Sequence, residues 1–425
     1  MKGFIVSAAH SGAGKTTLTL ALMQALRARG VAFSPYKAGP DFIDPMWHRA
    51  VAGKTSYNLE PSMMPMAHIQ QLFDRRDGMP VIEGVGGLFC GGSNSNTANL
   101  AMKLSIPVVF VVDAAGMAGS IAPLVAGFSG FHAEVHIAGV IANRVGSTGH
   151  ALMLKEALAA NGLPPLLGWL ENDDACLLPE RHLGLHLPHE EDVPDFSSAL
   201  HLEDTFRALL QSASQADCRQ PSGRKAEQGA LLRNKRIAIA RDDAFCFIYP
   251  ANLEWIIAQG GLPDFFSPLA GECVPEGADA LWLPGGYPEL HAEALSGRGF
   301  YSIRMFIESN KPVLAECGGM MILGETLVST EGEHWPMAGL LPFNVVMQKR
   351  LVSLGYRRSV SDSDSPLCGH EFHYSVREMH EDIPAAFDVE QGDAGVSYRQ
   401  LRASYCHWYF PSSPETAARL FGAAI

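Results

Sequence analysis

Apolar residues along the first half of the chain fall in short runs that alternate with stretches of helical spacing. Phe4–Ala8 (FIVSA) reads as a β-strand. Thr16–Arg29 reads as a helix, with Leu18, Ala21, Leu22, Ala25 and Leu26 on one side. Pro80–Glu83, Pro107–Asp113 and Ile137–Asn143 are further predicted strands. Strands that are apolar on both faces, alternating with helices, predict a parallel sheet covered on both sides.

The pattern weakens after about residue 190. Ser212 to Arg236 is polar, carries a Pro-Ser-Gly turn signal and reads as a linker. A second α/β series begins at Arg236–Ala240 and runs through a predicted helix, Tyr249–Gln259, and predicted strands, Ala280–Leu283 and Pro312–Ala315. With 425 residues the chain exceeds one ordinary core. The expected organisation is an α/β domain over residues 1–190, a linker over 191–235 and a second α/β domain over 236–425.

Composition narrows the function class. Hydrophobic residues at 47% and charged residues at 18% are a globular balance. The eight cysteines include no C-x-x-C pair, which argues against a zinc ribbon or a disulfide framework and for a reducing, cytoplasmic setting. The N-terminal apolar run is short for a secretory signal, and Ile106–Val112 is far below membrane-spanning length, so no membrane role is expected. A net charge of −13 speaks against nucleic-acid binding, and an anionic substrate would need locally concentrated cations.

Two stretches carry chemistry. Ala9-His10-Ser11-Gly12-Ala13-Gly14-Lys15-Thr16-Thr17 sits between the first predicted strand and helix with the spacing of a phosphate-binding P-loop, Ala9 replacing its leading glycine. Gly12 and Gly14 let the backbone wrap a phosphate, Lys15 reaches its oxygens and the Thr16 hydroxyl suits Mg²⁺. An acidic partner for the metal is Glu83 in Val81–Gly87, with Asp113 as a competitor that could equally cap a helix. Lys37, Asp41 and Asp44 in KAGPDFIDP bring a lysine and two carboxylates onto one Gly-Pro loop, suited to magnesium and phosphoryl chemistry or to a simple polar turn.

The second stretch, Lys311 to Met320, reads as strand, tight turn and helix with Cys317 at the turn, the placement of an exposed nucleophile whose pKa the helix N-terminus would lower. Gly285 and Gly286 in LPGGYPE, together with Gly318, are candidate oxyanion donors. His407, in the strand-like run Ala403–Phe410, is the candidate base. A lone histidine in such a run is more often a core residue, and the cysteine turn in the same domain reverses that preference.

These motifs resemble those of the cobyrinic and hydrogenobyrinic acid a,c-diamide synthases. The likeness runs from SGAGKTT at 11–17 through VIEGVGGLF at 81–89, NRVGS at 143–147, LPERHLGL at 178–185 and ARDDAFCFIYPANLE at 240–254, to AECGGMM at 315–321 and GHEFHYS at 369–375. The resemblance implies a dethiobiotin-synthetase-like P-loop domain joined to a class I-type glutaminase domain. It also implies that ATP and Mg²⁺ activate a corrinoid carboxylate, and that Cys317 frees ammonia from glutamine. By the same resemblance Lys15, Thr16 and Thr17 hold the nucleotide and Thr16, Asp44 and Glu83 the metal. Lys37 would lie beside the transferring phosphate, Asn143 would read adenine, and Asp41, Phe42 and Ile43 would lie at the substrate. Arg350, Arg357 and Arg358 are candidate cations for a polycarboxylate corrinoid, and Glu371 or a backbone group could orient His407. Cys90 stands where the family usually has aspartate, and no glutamate follows His407 two residues on. Another tetrapyrrole such as nickel sirohydrochlorin, or a P-loop switch with a vestigial glutaminase domain, are the alternatives, and a homodimer is left open.

Overall fold

The computed structural model describes residues 3–75, 77–91, 96–181, 184–215, 230–296, 300–360 and 365–424. The chain divides into two compact units, Met1–Ser62 with Met66–Gly223, and Arg224–Ile425 with Met63–Pro65.

In the first unit the described strands form an eight-stranded sheet and a separate two-stranded pair, Glu180–Arg181 with Gly184–Leu185. The order in the larger sheet is Leu200–Leu202, Leu166–Glu171, Ile137–Val145, Val108–Asp113, Phe4–Ala8, Met79–Glu83, Phe33–Ala38 and Tyr57–Leu59. Its pairing is parallel throughout except at the Leu200–Leu202 edge. The central strand Phe4–Ala8 is buried at every position, which explains why it is apolar on both faces. From it the chain crosses to Phe33–Ala38 on one side, returns to Met79–Glu83 and then builds the other half. This strand therefore marks the point where the winding reverses, and its carboxyl end opens the crevice where such sheets bind ligands. Helix Lys15–Ala28 leaves directly from that end, burying Leu18, Leu22 and Leu26 as its spacing predicts.

The expected linker needs correction. Leu200–Leu202 pairs with Leu166–Glu171, and Asp204–Gln215 is a helix packed on the same strand, so these parts of 191–235 belong to the first unit. Residues 216–229 lie outside the described residues.

The second unit is built on a six-stranded sheet in the order Leu262–Phe266, Arg236–Ala240, Ala280–Leu283, Val313–Glu316, Leu401–Ser404 and Val396–Tyr398. The first five are mutually parallel and the last is antiparallel. Between residues 326 and 379 the chain adds small, mostly antiparallel sheets that the hydrophobic pattern did not announce. Among the described residues these include a three-stranded sheet of Ser353–Ser359, Leu367–His373 and His407–Tyr409. The run expected as one strand over Ala403–Phe410 is thus two. Leu401–Ser404 belongs to the main sheet, and after Tyr405 and Cys406 the chain joins the small one at His407. No described helix is long and apolar enough to cross a membrane.

Candidate active site

The P-loop wraps at the carboxyl end of Phe4–Ala8, with Gly12 and Gly14 at φ 80° and 90°, in the left-handed region that favours glycine. Gly14 is required twice over, because a Cβ there would lie 2.0 Å from Asn143 Nδ2. Asn143, at the end of its strand, donates from that nitrogen to Ala13 O at 3.0 Å. The amide expected to read adenine therefore clamps the loop. Its neighbour Arg144 holds φ 55° and donates to Asp113 Oδ2 at 2.8 Å and to Gly12 O at 3.3 Å. Asp113 is accordingly tied to an arginine and to Ala115 N, while Glu83 faces the loop.

Thr16 Oγ1 donates to Glu83 Oε1 at 2.7 Å, and Lys37 Nζ donates to the same oxygen at 2.9 Å. Lys37 also pairs with Asp44. Neighbouring strands make this convergence: Lys37 and Glu83 are register partners, and Asp44 lies in the first turn of helix Ile43–Ala52. The opposite oxygen of Glu83 takes His48 Nε2 at 2.8 Å, and His48 Nδ1 meets Ser56 Oγ at 3.0 Å. Lys37, Asp44, His48, Ser56 and Glu83 are all buried. Burial pushes Asp44 well above the usual carboxylate range, helped by Asp41 and Glu83. Burial would raise Glu83 too, but Lys37 and His48 outweigh it and hold Glu83 low and ionised. Lys37 stays a cation because Asp44 and Glu83 overcome its desolvation. Lys15 is lowered by burial and by Lys37, and folds back to His10 O at 3.2 Å.

Around Gly12, Gly14, Lys15, Thr16, Thr17 and Asn143 lies a cavity of about 340 Å³, closed on its far side by Leu170–Asp173, Cys176–Leu178 and Leu185. That volume is in the range of small-ligand sites. The donor set fits magnesium: a hydroxyl and two carboxylates are hard oxygens, and Mg²⁺ ordinarily takes one or two carboxylates and completes its shell with water and phosphate. Among the described residues no three His, Cys, Asp or Glu side chains gather as a metal cage.

Asp41 supports the metal-side helix. Its Oδ1 accepts from Ile43 N at 2.8 Å and Asp44 N at 2.9 Å, so it caps the helix that presents Asp44. Phe42 and Ile43 are largely buried beside it, at 8% and 7% exposure.

In the second unit Cys317 follows strand Val313–Glu316 at φ 44°, ψ −109°, a strained backbone for a non-glycine residue. Gly285 sets its relation to His407. A Cβ at Gly285 would lie 2.2 Å from His407 Cε1 and 3.3 Å from Cys317 Cβ, so only glycine lets thiol and imidazole converge. A Cβ at Gly318 would lie 3.1 Å from Gly286 N, so the two residues expected as oxyanion donors pack closely together. The imidazole of His407 is flanked by Phe247, with centroids 6.0 Å apart, and stacked on His370 at 5.0 Å. His370 Nδ1 meets Tyr249 OH at 2.9 Å.

The thiol is not depressed as the turn suggested. Burial pushes Cys317 up, Glu289 adds to this, and the helix beginning at Gly318 has only four residues to oppose them. Burial and the neighbouring His370 hold His407 well below its ordinary value. Both shifts favour the neutral forms, thiol and imidazole.

The carboxylates and cations near this site also sort out. Glu371 is engaged elsewhere: Oε2 takes Arg357 Nη2 at 2.8 Å and Ser353 Oγ at 2.7 Å, and Oε1 takes Asp393 N at 2.5 Å. That corrects both its expected role towards His407 and that of Arg357 as a corrinoid cation, because Arg357 is buried in this pair. Arg350 and Arg358 are exposed.

Comparison with known proteins agrees with this division of labour. Residues 4–185 match the family model of the CobQ/CobB/MinD/ParA nucleotide binding domain. Residues 236–415 match that of the CobB/CobQ-like glutamine amidotransferase domain. Hydrogenobyrinate a,c-diamide synthase of Brucella suis is 42% identical over 434 residues, covering 96% of this chain and 98% of its own. Cobyrinate a,c-diamide synthase of Herminiimonas arsenicoxydans is 39% identical, with 99% and 97% covered, and that of Priestia megaterium is 36% identical, with 96% and 94% covered. The chain belongs to the cobyrinate and hydrogenobyrinate a,c-diamide synthase family. It is thus an amidating ligase with a nucleotide-binding domain followed by a glutamine amidotransferase domain.

For a member of this a,c-diamide synthase family, sequence reasoning missed three parts of the site. His48 lies four residues after Asp44 on one helix, so i,i+4 spacing alone places both on one face. The far wall of the cavity, Leu170 to Leu178, follows a strand whose role needed the sheet order. Glu316 sits beside Cys317 in sequence, but its partners lie across the fold.

Proposed function

We propose that this protein amidates the a and c acetate side chains of cobyrinic or hydrogenobyrinic acid, using ATP and ammonia released from glutamine. The observation that carries the reading is the pairing, in one chain, of a P-loop whose Thr16 meets the Lys37–Glu83–Asp44 cluster with a Cys317 that Gly285 brings to His407.

In the first unit a substrate carboxylate oxygen attacks the γ-phosphoryl group of ATP, the bond to ADP breaks and an acyl phosphate forms. Lys15 and the P-loop amides hold the phosphates, and Lys37 balances charge as it moves between oxygens. Thr16, Glu83 and Asp44 would hold the magnesium ion, which neutralises phosphate charge. In the second unit His407 takes the thiol proton as Cys317 attacks the glutamine amide carbon, with the Gly286 and Gly318 amides receiving the oxyanion. The protonated imidazole returns the proton to the leaving nitrogen, so ammonia and a thioester result, and water then releases glutamate. Ammonia displaces phosphate from the acyl phosphate to give the amide. Free ammonia near neutral pH is mostly the non-nucleophilic ammonium ion, which favours making it where it is used.

The test is mass spectrometry of cobyrinic and hydrogenobyrinic acids after incubation with enzyme, ATP, Mg²⁺ and glutamine. The expected product carries two carboxyl-to-amide conversions; an unchanged mass for both acids would refute the reading.

A further inference from the structure

Glutaminases of the His-x-Glu type hold the imidazole with a glutamate two residues on, and here that position is Tyr409. The strand carrying His407 must therefore be held against the cysteine by something else. Its ladder to Leu367–His373 and Asn252, which donates to Trp408 O and accepts from Phe410 N, hold it within the fold, and two bonds tie it to the strand of the cysteine, one on each side of the histidine. Cys317 N donates to Ser404 O at 2.8 Å, three residues before His407. Trp408 N, one residue after it, donates to Glu316 Oε1 at 2.8 Å. The second oxygen of Glu316 accepts from Trp282 Nε1 at 2.9 Å, on the strand next to its own. The Glu316 carboxyl is 1% exposed.

A buried carboxyl is costly to place in a core unless its bonds are worth having there. Glu316 lies on the strand that ends at the nucleophile, among Trp282, Leu314 and Trp408. An apolar side chain would pack there as well, as its neighbours do. What it could not supply is an acceptor for the Trp408 amide, which belongs to the short three-residue strand His407–Tyr409. That strand starts where the chain leaves the main sheet and takes its register from Leu367–His373 in the small one, so the Trp408 amide bond to Glu316 is what ties it to the strand ending at Cys317.

We propose that Glu316 is the positioning residue of the glutaminase site, binding the strand of His407 through the Trp408 amide so that the imidazole meets the Cys317 thiol. The role is indirect: Glu316 holds the backbone beside the base rather than the imidazole itself, and Trp282 fixes the carboxyl so that one oxygen points at that amide. The inference rests on Cys317 and His407 acting as nucleophile and base, as proposed above.

Glu316→Gln keeps shape but sets an amide N–H group against either Trp408 N or Trp282 Nε1, both donors. Expected results are a fall of about tenfold or more in glutamine-dependent kcat with KM for glutamine little changed, and ammonia-dependent amidation within about twofold of wild type. Alkylation of Cys317 by iodoacetamide, followed on its own peptide by mass spectrometry, should slow, with its pH midpoint raised because the base no longer meets the thiol. Removing the competing indole donor should restore the geometry. Trp282→Phe loses the bond that fixes the carboxyl and serves as the reference, and Trp282→Phe/Glu316→Gln should show glutamine-dependent turnover within about threefold of that single variant. Unchanged alkylation and turnover in Glu316→Gln would overturn the proposal, as would a parallel loss of glutamine- and ammonia-dependent activity or no recovery in the double variant. Alkylation needs no corrinoid. A wild-type enzyme that alkylates as described but amidates neither acid would refute the substrate reading and leave this one standing.

Discussion

Single residues decide the chemistry through what they leave room for. Gly285 is the sharpest case, because the space its missing Cβ leaves is where His407 Cε1 approaches Cys317. Gly285→Ala must push the imidazole away, since the clash is with a buried ring held between Phe247 and His370. Glutamine-dependent turnover should drop by about a hundredfold, in line with losing general-base assistance, while ammonia-dependent amidation persists. Steady-state rates with each nitrogen source check it, and equal loss with both would contradict it. Such positions are legible as glycines in the sequence, but their reason is not. LPGGYPE looked like an oxyanion turn, and only the fold shows that its first glycine also makes way for a histidine more than a hundred residues on.

Elements explain which site residues could be read in advance. The P-loop and the cysteine turn are local strand–loop–helix or strand–turn–helix signals, so glycines and apolar runs announce them. His407 depends on a strand break after Ser404, and a run of apolar residues conceals a break. Arg357 and Arg358 alternate across one strand, so period-2 patterning puts them on opposite faces; Arg357 turned inward to Glu371. The His370 strand also carries a pH signature. Burial first, and the Arg357 charge second, bring His370 down to about 3 from an ordinary 6.5. Between those values the unfolded chain binds a proton that the folded chain does not, so stability falls as pH drops below 6.5, by up to about 1.4 kcal/mol per pH unit. Hydrogen exchange of the strand His407–Tyr409 between pH 7.5 and 5.5, corrected for intrinsic exchange, should show this loss. His370→Gln should decline less steeply. Identical slopes in the two proteins would contradict the assignment.

For the whole molecule, the two units have complementary chemistry. In the proposed reading, one uses Lys15, Lys37 and the oxygens of Thr16, Glu83 and Asp44 for phosphoryl transfer, and the other uses Cys317 and His407 for amide cleavage. Neither set alone makes an amide from glutamine. The alternation of strands and helices predicted both α/β units, because parallel sheets impose their two-sided burial on the sequence. Where the first ends was harder to see, because Leu200–Leu202 is an edge strand and Asp204–Gln215 a polar-faced helix in a stretch that reads as linker. The separation of tasks gives the most direct measurement. Cys317→Ser should yield no amidated cobyrinic or hydrogenobyrinic acid with glutamine, and the diamide with ammonium salts, ATP and Mg²⁺. Loss of product with both nitrogen sources, or full activity with glutamine, would contradict the account.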